Sequence, residues 1–371
     1  MDRVLTKKSE STAPYFAGVD FGGTSIKIGI VDDKGKTLAW SSTPTVPGRT
    51  PAETLAAVKV ATTNAAEEAG LTFDDIAAIG IGIAGAVHPE TGNVIRIVNV
   101  KGWGGFPIRE RCQKEFGKPT VFVNDANAAA FGEYWVGAAS QHESVIFFTL
   151  GTGIGAGIIQ DGKMHDGANA SAAECGHLIV DPAPSARLCG CGQTGHLECY
   201  ASATAVIRRA QEYVNAGVES TLVERAKKGE AVTPILVGEE ARKGDVIANK
   251  IVKEAAWWMG IGVVNLMYTI DPHCVLLGGA MTFGGSSDSL GKKYLDTIRG
   301  VVHEKCFSTL AKNTVIEFAT LGGDAGYLGT AGLTETRRRV FGSGCTDLIA
   351  THTTVKHLNR IDKIVGQKER Q

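Results

Sequence analysis

Two stretches of this sequence, YFAGVDFGGTSIKIGIV from Tyr15 and SVIFFTLGTGIGAGII from Ser144, show one pattern about 130 residues apart: an apolar run, a glycine-rich turn, and a second apolar run. Apolar runs bounded by glycine read as strands, so each stretch predicts a strand–turn–strand unit. Two such units predict a duplicated α/β architecture, although they are not repeats in any strict sense. Size points the same way. Single hydrophobic cores tend to stop growing near roughly 250–300 residues, and a chain of 371 residues with 43% hydrophobic content is expected to form two lobes. The small lobe is expected over 14–125 and the large lobe over 126–336. Residues 1–13, MDRVLTKKSESTA, are polar and aperiodic and predict a disordered N-terminus; residues 337–371, from RRR onward, predict a solvated, flexible tail.

Composition removes several function classes. Net charge is −1 and the isoelectric point about 6.8, so the whole chain carries no footprint for nucleic acid or an anionic membrane. The longest uncharged apolar run, WWMGIGVVNLMYTI at 257–270, is too short to span a bilayer and predicts a buried helix. Eight cysteines over this length, with no secretory leader at the start, favour a reducing cytoplasm over a disulfide framework. The partner expected is a small molecule.

Chemistry concentrates in a few motifs. In DFGGTSIK, Asp20 ends a strand and Gly22, Gly23 and Thr24 form the turn before Lys27, so backbone N–H groups can face phosphate oxygens with no Cβ in the way, and Asp20 can sit beside a Mg²⁺. A glycine hairpin of this kind also serves structure alone. TLGTGIGAG supplies a second turn, with Thr149, Gly151, Thr152 and Gly153. It is not a Rossmann fingerprint, because Ala156 stands where a glycine is needed and no helix follows; no GxxxxGK[ST] occurs either. Gly278 and Gly279 close a strand, where they present helix N-termini or pack tightly. Asn124 and Asp125 end the strand PTVFV, and the pair reads either as a helix cap or as a general base with its positioning amide.

The segment ECGHLIVDPAPSARLCGCGQTGHLE, residues 174–198, gathers His177, Cys189, Cys191 and His196 between two glutamates. Two imidazoles and two thiolates suit a tetrahedral zinc, whereas a disulfide between Cys189 and Cys191 would close a very small, strained loop. The flanking Glu174 and Glu198 need another role.

Taken together, VDFGGTSIK, IGIAG, VNDANAAAFGE, LGTGIGAGII, GANASAAECGH and CGCGQTGHLE occur in the order and spacing of the ROK family of sugar kinases and sugar-responsive repressors, and residues 15–335 resemble it. The resemblance implies a two-lobed actin-like ATPase (ribonuclease H-like) fold with an interlobe cleft holding ATP and Mg²⁺. It implies Asp125 as catalytic base, with Asn124, Glu174, His177 and Glu198 contacting sugar, and Gly278, Gly279 and Ala280 near the adenosine. Gly85, Asn99 and Trp103 are expected in the sugar pocket. A structural Zn²⁺ would brace the loop carrying the sugar ligands, and His177 would serve both metal and sugar. The sequence departs from the family in having His196 where cysteine is usual and Ala84 where proline is frequent.

The activity implied is an ATP-dependent hexose kinase, glucokinase-like, phosphorylating the 6-hydroxyl; fructose, mannose or an N-acetylhexosamine are alternative acceptors. A sugar-sensing repressor shares the fold but carries an N-terminal helix-turn-helix, and only some fourteen residues precede the first strand here. A homodimer is also implied.

Overall fold

Residues 3–88, 91–97 and 102–341 are described by a computed structural model of the chain. Strands β1 (Tyr15–Phe21), β2 (Ser25–Val31) and β3 (Thr37–Pro44) form the expected meander and lead into α1 (Pro51–Glu68). That helix starts where TPAE places a threonine cap, a proline in the first turn, and Glu53 returning to the Thr50 N–H at 2.8 Å. β4 (Ile76–Ile83), β5 (Gly85–Val87), β6 (Val94–Ile97), α2 (Ile108–Phe116), β7 (Thr120–Asn124) and α3 (Asp125–Trp135) follow. The first large sheet has the order β3-β2-β1-β4-β7, antiparallel through β1–β3 and parallel through β1, β4 and β7.

The chain then builds the same sheet again. β8 (Val145–Leu150), β9 (Ile154–Gln160) and β10 (Lys163–Met164) form an antiparallel set, and α4 (Glu198–Ala201), α5 (Ala203–Ala216), α6 (Thr221–Lys227), α7 (Pro234–Arg242) and α8 (Val246–Ile270) come before β11 (Cys274–Gly278). α9 (Ser289–Lys305), α10 (Ser308–Asn313), β12 (Val315–Phe318) and α11 (Ala325–Phe341) complete the described chain. The order β10-β9-β8-β11-β12, antiparallel then parallel, is topologically the first sheet repeated. The duplicated α/β architecture expected from the two glycine hairpins is therefore present. WWMGIGVVNLMYTI lies in α8, whose inner face enters the second core while Trp257 and Tyr268 stay exposed. No helix among the described residues is long and apolar enough to cross a membrane.

Two compact units emerge. Among the described residues, one takes the chain through Val136, the short segment Asp166–Ala172, and the chain from Asp324; the other takes Gly137–His165 and Ala173–Gly323. The single boundary expected at 125 is corrected, because α3 and α11 belong together. A Cβ on Gly329 would fall 1.6 Å from the Ala128 carbonyl oxygen, and one on Gly132 would fall 2.4 Å from that of Ala325. α11 also covers the first sheet at close range: Cβ atoms on Gly18 and Gly80 would lie 1.9 and 2.2 Å from the carbonyl oxygens of Tyr327 and Thr330. Hence the Ile-Gly alternation of β4 has a plain cause. Ile79, Ile81 and Ile83 enter the first hydrophobic core, and the glycines on the opposite face admit a helix backbone. Part of the glycine excess thus serves helix-to-sheet packing.

The N-terminus is a second correction. Thr6 N–H donates to the Thr37 carbonyl at 2.8 Å, Asp33 N–H to that of Thr12 at 3.0 Å, and Arg3 grips both Asp324 carboxylate oxygens while its guanidinium lies 3.5 Å over the Trp40 ring. Polar composition did not imply disorder, because backbone pairing and one arginine fasten the segment. α11 continues to Phe341, past the expected end at 336; the remainder of the expected tail, 342–371, lies outside the described residues.

Candidate active site

In the first unit the parallel strands bring the expected residues to one edge. Register pairs Phe21 with Ile83 and Ile83 with Asn124, so the turn after β1, the chain leaving β4 and the start of α3 share the C-terminal ends of adjacent strands. This is where open α/β sheets present ligand sites. Gly22, Gly23 and Thr24 make the turn. Gly22 N–H donates to the Ser25 carbonyl at 3.1 Å, and Thr45 braces the turn through its hydroxyl on the Gly22 carbonyl at 2.7 Å and its N–H on the Thr24 carbonyl at 2.9 Å. Asp20 and Lys27 face each other across the two strands, Nζ to Oδ2 3.3 Å, and a Cβ on Gly326 would come within 2.8 Å of the Asp20 carboxyl carbon. Gly326 was not foreseen; only the fold carries it to Asp20.

Asn124 and Asp125 divide the two readings between them. The Asn124 side chain accepts from Ala126 N–H at 2.9 Å and Asn127 N–H at 3.3 Å, and donates its Nδ2 to the Gly85 carbonyl at 3.2 Å. Asn124 is the cap. Asp125 stands in the first turn of α3, where peptide dipoles favour negative charge, and its Oδ1 accepts from Ala126 N–H at 3.0 Å. Gly85 is thus tied to Asn124 as a backbone acceptor. Trp103 departs from its expected role: it is 1% exposed in the core, its ring 5.2 Å from Phe21. Asn99 lies outside the described residues. A further pair, Asn127 Nδ2 donating to Asp166 Oδ1 at 3.3 Å, ties the segment 166–172 to α3 near Asp125. The sequence hinted at it only through the second asparagine of NDAN.

The second unit repeats the arrangement at its own strand ends. Gly151 N–H closes the turn on the Gly153 carbonyl at 3.0 Å, and Thr204 donates to the Thr152 carbonyl at 2.7 Å. Thr149 pairs with Gly278, and Gly279, with φ of +89°, would drive a Cβ to 2.3 Å from the Leu150 carbonyl oxygen. No helix begins directly after Gly279, so tight packing is the reading the fold supports for this pair. Glu198, the first residue of α4, lies over the turn: a Cβ on Gly153 would meet its Oε2 at 2.6 Å.

The His-Cys cluster assembles beside Glu198. His177, Cys189, Cys191 and His196 bring one donor atom each to within 4.8 Å of one another. His177 Nδ1 and His196 Nδ1 are 3.1 Å apart, Cys191 Sγ is 3.4 Å from His196 Nδ1, and Cys189 Sγ is 3.8 Å from His177 Nδ1. A tetrahedron with Zn–N about 2.0–2.1 Å and Zn–S about 2.3 Å has edges of about 3.3–3.8 Å; the separations of 3.1, 3.4 and 3.8 Å lie near those edges, and the set as a whole, within 4.8 Å, would have to tighten around an ion. His177 turns its other nitrogen toward Glu174, Nε2 to Oε2 3.9 Å. Burial pushes the His196 imidazole pKa down, with His177 adding to it, and burial pushes the Cys189 thiol up, where it donates to Glu198 Oε1 at 2.9 Å. The seven described cysteines are free thiols.

The sequence profile of the ROK family matches residues 16–337. The chain belongs to the ROK family. A glucokinase from Streptomyces coelicolor is 36% identical over 322 residues, covering 85% of this chain and 96% of its own. A ROK family glucokinase from Streptomyces griseus, solved in complex with glucose and AMPPNP, superposes with a TM-score of 0.69 at 36% identity, over 86% of this chain and 98% of that one. A xylose repressor from Caldicellulosiruptor bescii is 33% identical over 263 residues, 71% of this chain and 63% of its own length. ROK membership accounts for the duplicated sheet, which is the actin-like ATPase fold of these structural relatives.

Proposed function

We propose that this chain is an ATP-dependent hexose kinase that transfers the γ-phosphoryl group to the 6-hydroxyl of glucose. The observation that carries the reading is the gathering of the Asp20 hairpin, Gly85 and the Asn124–Asp125 pair at one edge of the first sheet, in a chain similar to glucokinases along most of its length. Asp125 accepts the hydroxyl proton as the oxygen attacks. Phosphoryl transfer is largely loose, so a carboxylate suffices as base, and alignment with charge neutralisation supplies most of the rate. Asn124, held by the helix and by Gly85, fixes a neighbouring hydroxyl. The turns at Gly22–Thr24 and Gly151–Gly153 offer N–H groups to phosphate oxygens, and Asp20 and Lys27 serve Mg²⁺ and phosphate charge. Glu174, His177 and Glu198 hold sugar hydroxyls.

His177, Cys189, Cys191 and His196 would hold a structural zinc. When bound it supplies rigidity, fixing the loop that carries His177 and Glu198. Support comes from the donor spacing and from His177, whose two nitrogens face the cluster and Glu174. We further propose that the kinase is a homodimer, which sedimentation velocity checks.

A panel of hexoses with Mg²⁺ and ATP, scored by ADP release, tests the activity. Glucose is expected to turn over fastest. A faster fructose, mannose or N-acetylhexosamine would move the specificity, and sugar binding without ADP release would favour the sensor reading that the xylose repressor relative represents.

A further inference from the structure

The segment between the proposed metal ligands is mostly exposed, with Val180 packed against the second core. From Ile179 to Gly195 it makes two isolated bridges, Ile179 to His196 and Leu188 to Thr194, while Ile179 and Leu188 are 65% and 63% exposed. Val180 aside, the segment depends on polar contacts to hold it before any metal does. The Tyr200 hydroxyl takes a hydrogen bond from Arg187 N–H at 2.8 Å and donates to Asp181 Oδ2 at 2.6 Å, so one phenol pins both legs of the loop. The Tyr200 ring packs against Trp258 of α8 at 4.5 Å, and the Arg187 guanidinium lies 5.5 Å from the ring centroid. Arg187 extends the clamp: Nη2 donates to both carboxylate oxygens of Glu212 on α5 at 2.9 Å, and Nη1 to the Cys199 carbonyl at 3.3 Å. Glu212 is held in turn by Arg209, which grips Glu254 of α8 at 2.6 Å.

These groups stand close to the chemistry in sequence and outside the main core. Asp181 is four residues after His177, Arg187 two before Cys189, and Tyr200 two after Glu198. Neither Arg187 nor Tyr200 is part of the second hydrophobic core. We infer that Arg187 and Tyr200 are positioning residues that set the loop from 179 to 196 in its metal-binding geometry and, through it, the flanking sugar ligands His177 and Glu198. The inference rests on the proposed roles of His177, Glu198 and the zinc cluster. The guanidinium fork and the phenol oxygen are both required, since Nη2 holds Glu212 while Nη1 holds the Cys199 carbonyl, and neither that two-nitrogen span nor a bridging hydroxyl has a substitute in lysine or phenylalanine.

Tyr200→Phe and Arg187→Lys in the full chain test it. Outer partners of metal ligands typically cost about tenfold to a hundredfold in metal affinity when removed, and a loss in that range is expected for zinc, measured by competition with a chromophoric chelator. The KM for glucose should rise several-fold with kcat held within about twofold, the signature of lost substrate positioning. Amide hydrogen exchange over 179–196 should quicken while α8 keeps its protection. Unchanged exchange, or faster exchange with an unaltered KM, overturns the inference, as does a fall in kcat at constant KM. Should the wild-type chain take up no zinc, the metal reading falls alone; exchange and the KM then decide the clamp. Absence of glucose turnover in the wild type would instead sink the kinase reading, and glucose affinity by calorimetry would replace the KM.

Discussion

Asp125 shows how far one residue's identity can be read before its surroundings are known. In the sequence, Asn-Asp after a strand reads first as a helix cap and also as a base. The structure gives capping to Asn124, whose oxygen takes the Ala126 and Asn127 N–H groups, and leaves Asp125 one position into the helix. Asp125→Asn keeps the side chain's shape and its acceptor for Ala126 N–H, so folding and glucose binding by calorimetry should persist. Turnover should fall by about two to four orders of magnitude, the usual cost of a lost general base; near-normal turnover would remove Asp125 from the mechanism. Trp103 carries the opposite lesson. The resemblance placed it in the sugar pocket, yet its ring lies in the core against Phe21 and Phe106, and nothing local in the sequence distinguishes the two outcomes.

Elements were legible where their signals are short-range. The hairpins, the Thr50 capping box and the buried stretch of α8 all follow from patterns within a few residues. The glycine face of β1 and β4 was visible as alternation, but its partner, α11, lies far along the chain, with Tyr327 against Gly18 and Thr330 against Gly80. That contact yields a paired test. Gly329→Ala forces a Cβ against the Ala128 carbonyl and should destabilise the first unit by about 1–3 kcal/mol or more. Gly300→Ala, on an exposed face of α9 with nothing within 4 Å, should be neutral or stabilise by up to about 1 kcal/mol through helix propensity. Urea titrations of both read the difference, and equal effects would contradict the packing described. The metal loop is testable at the same scale. The purified chain should carry about one zinc on the four-ligand count, and chelation should lower its melting temperature and raise the KM for glucose; a chain that is metal-free and fully active would retire the zinc assignment.

Over the whole molecule, stability draws on two cores and on polar networks between helices. In the second unit, burial alone would raise the pKa of Glu240, yet Lys243, Thr221 and Arg225 outweigh it with hydrogen bonds and hold the carboxyl down at about 2, against an ordinary 4.5. A depressed folded-state value means the contribution is fully present above about pH 4.5 and fades as pH falls toward 2. Glu240→Gln should therefore lower the melting temperature clearly at pH 6 and progressively less as pH drops from 4.5 to 2.5; a constant difference across that range would refute the linkage. The sequence by itself determined the α/β class, the two glycine hairpins, the family and the set of candidate zinc ligands, because each is written in contiguous residues whose backbone demands are local. Only the tertiary structure decided where the units divide, that the N-terminus is fastened by Arg3, that α11 returns to the first sheet, and that Arg187 and Tyr200 hydrogen-bond to one another and to Asp181 and Glu212. Those depend on which distant surfaces fit at close range, and complementarity between segments far apart in the chain leaves no periodic mark in either one.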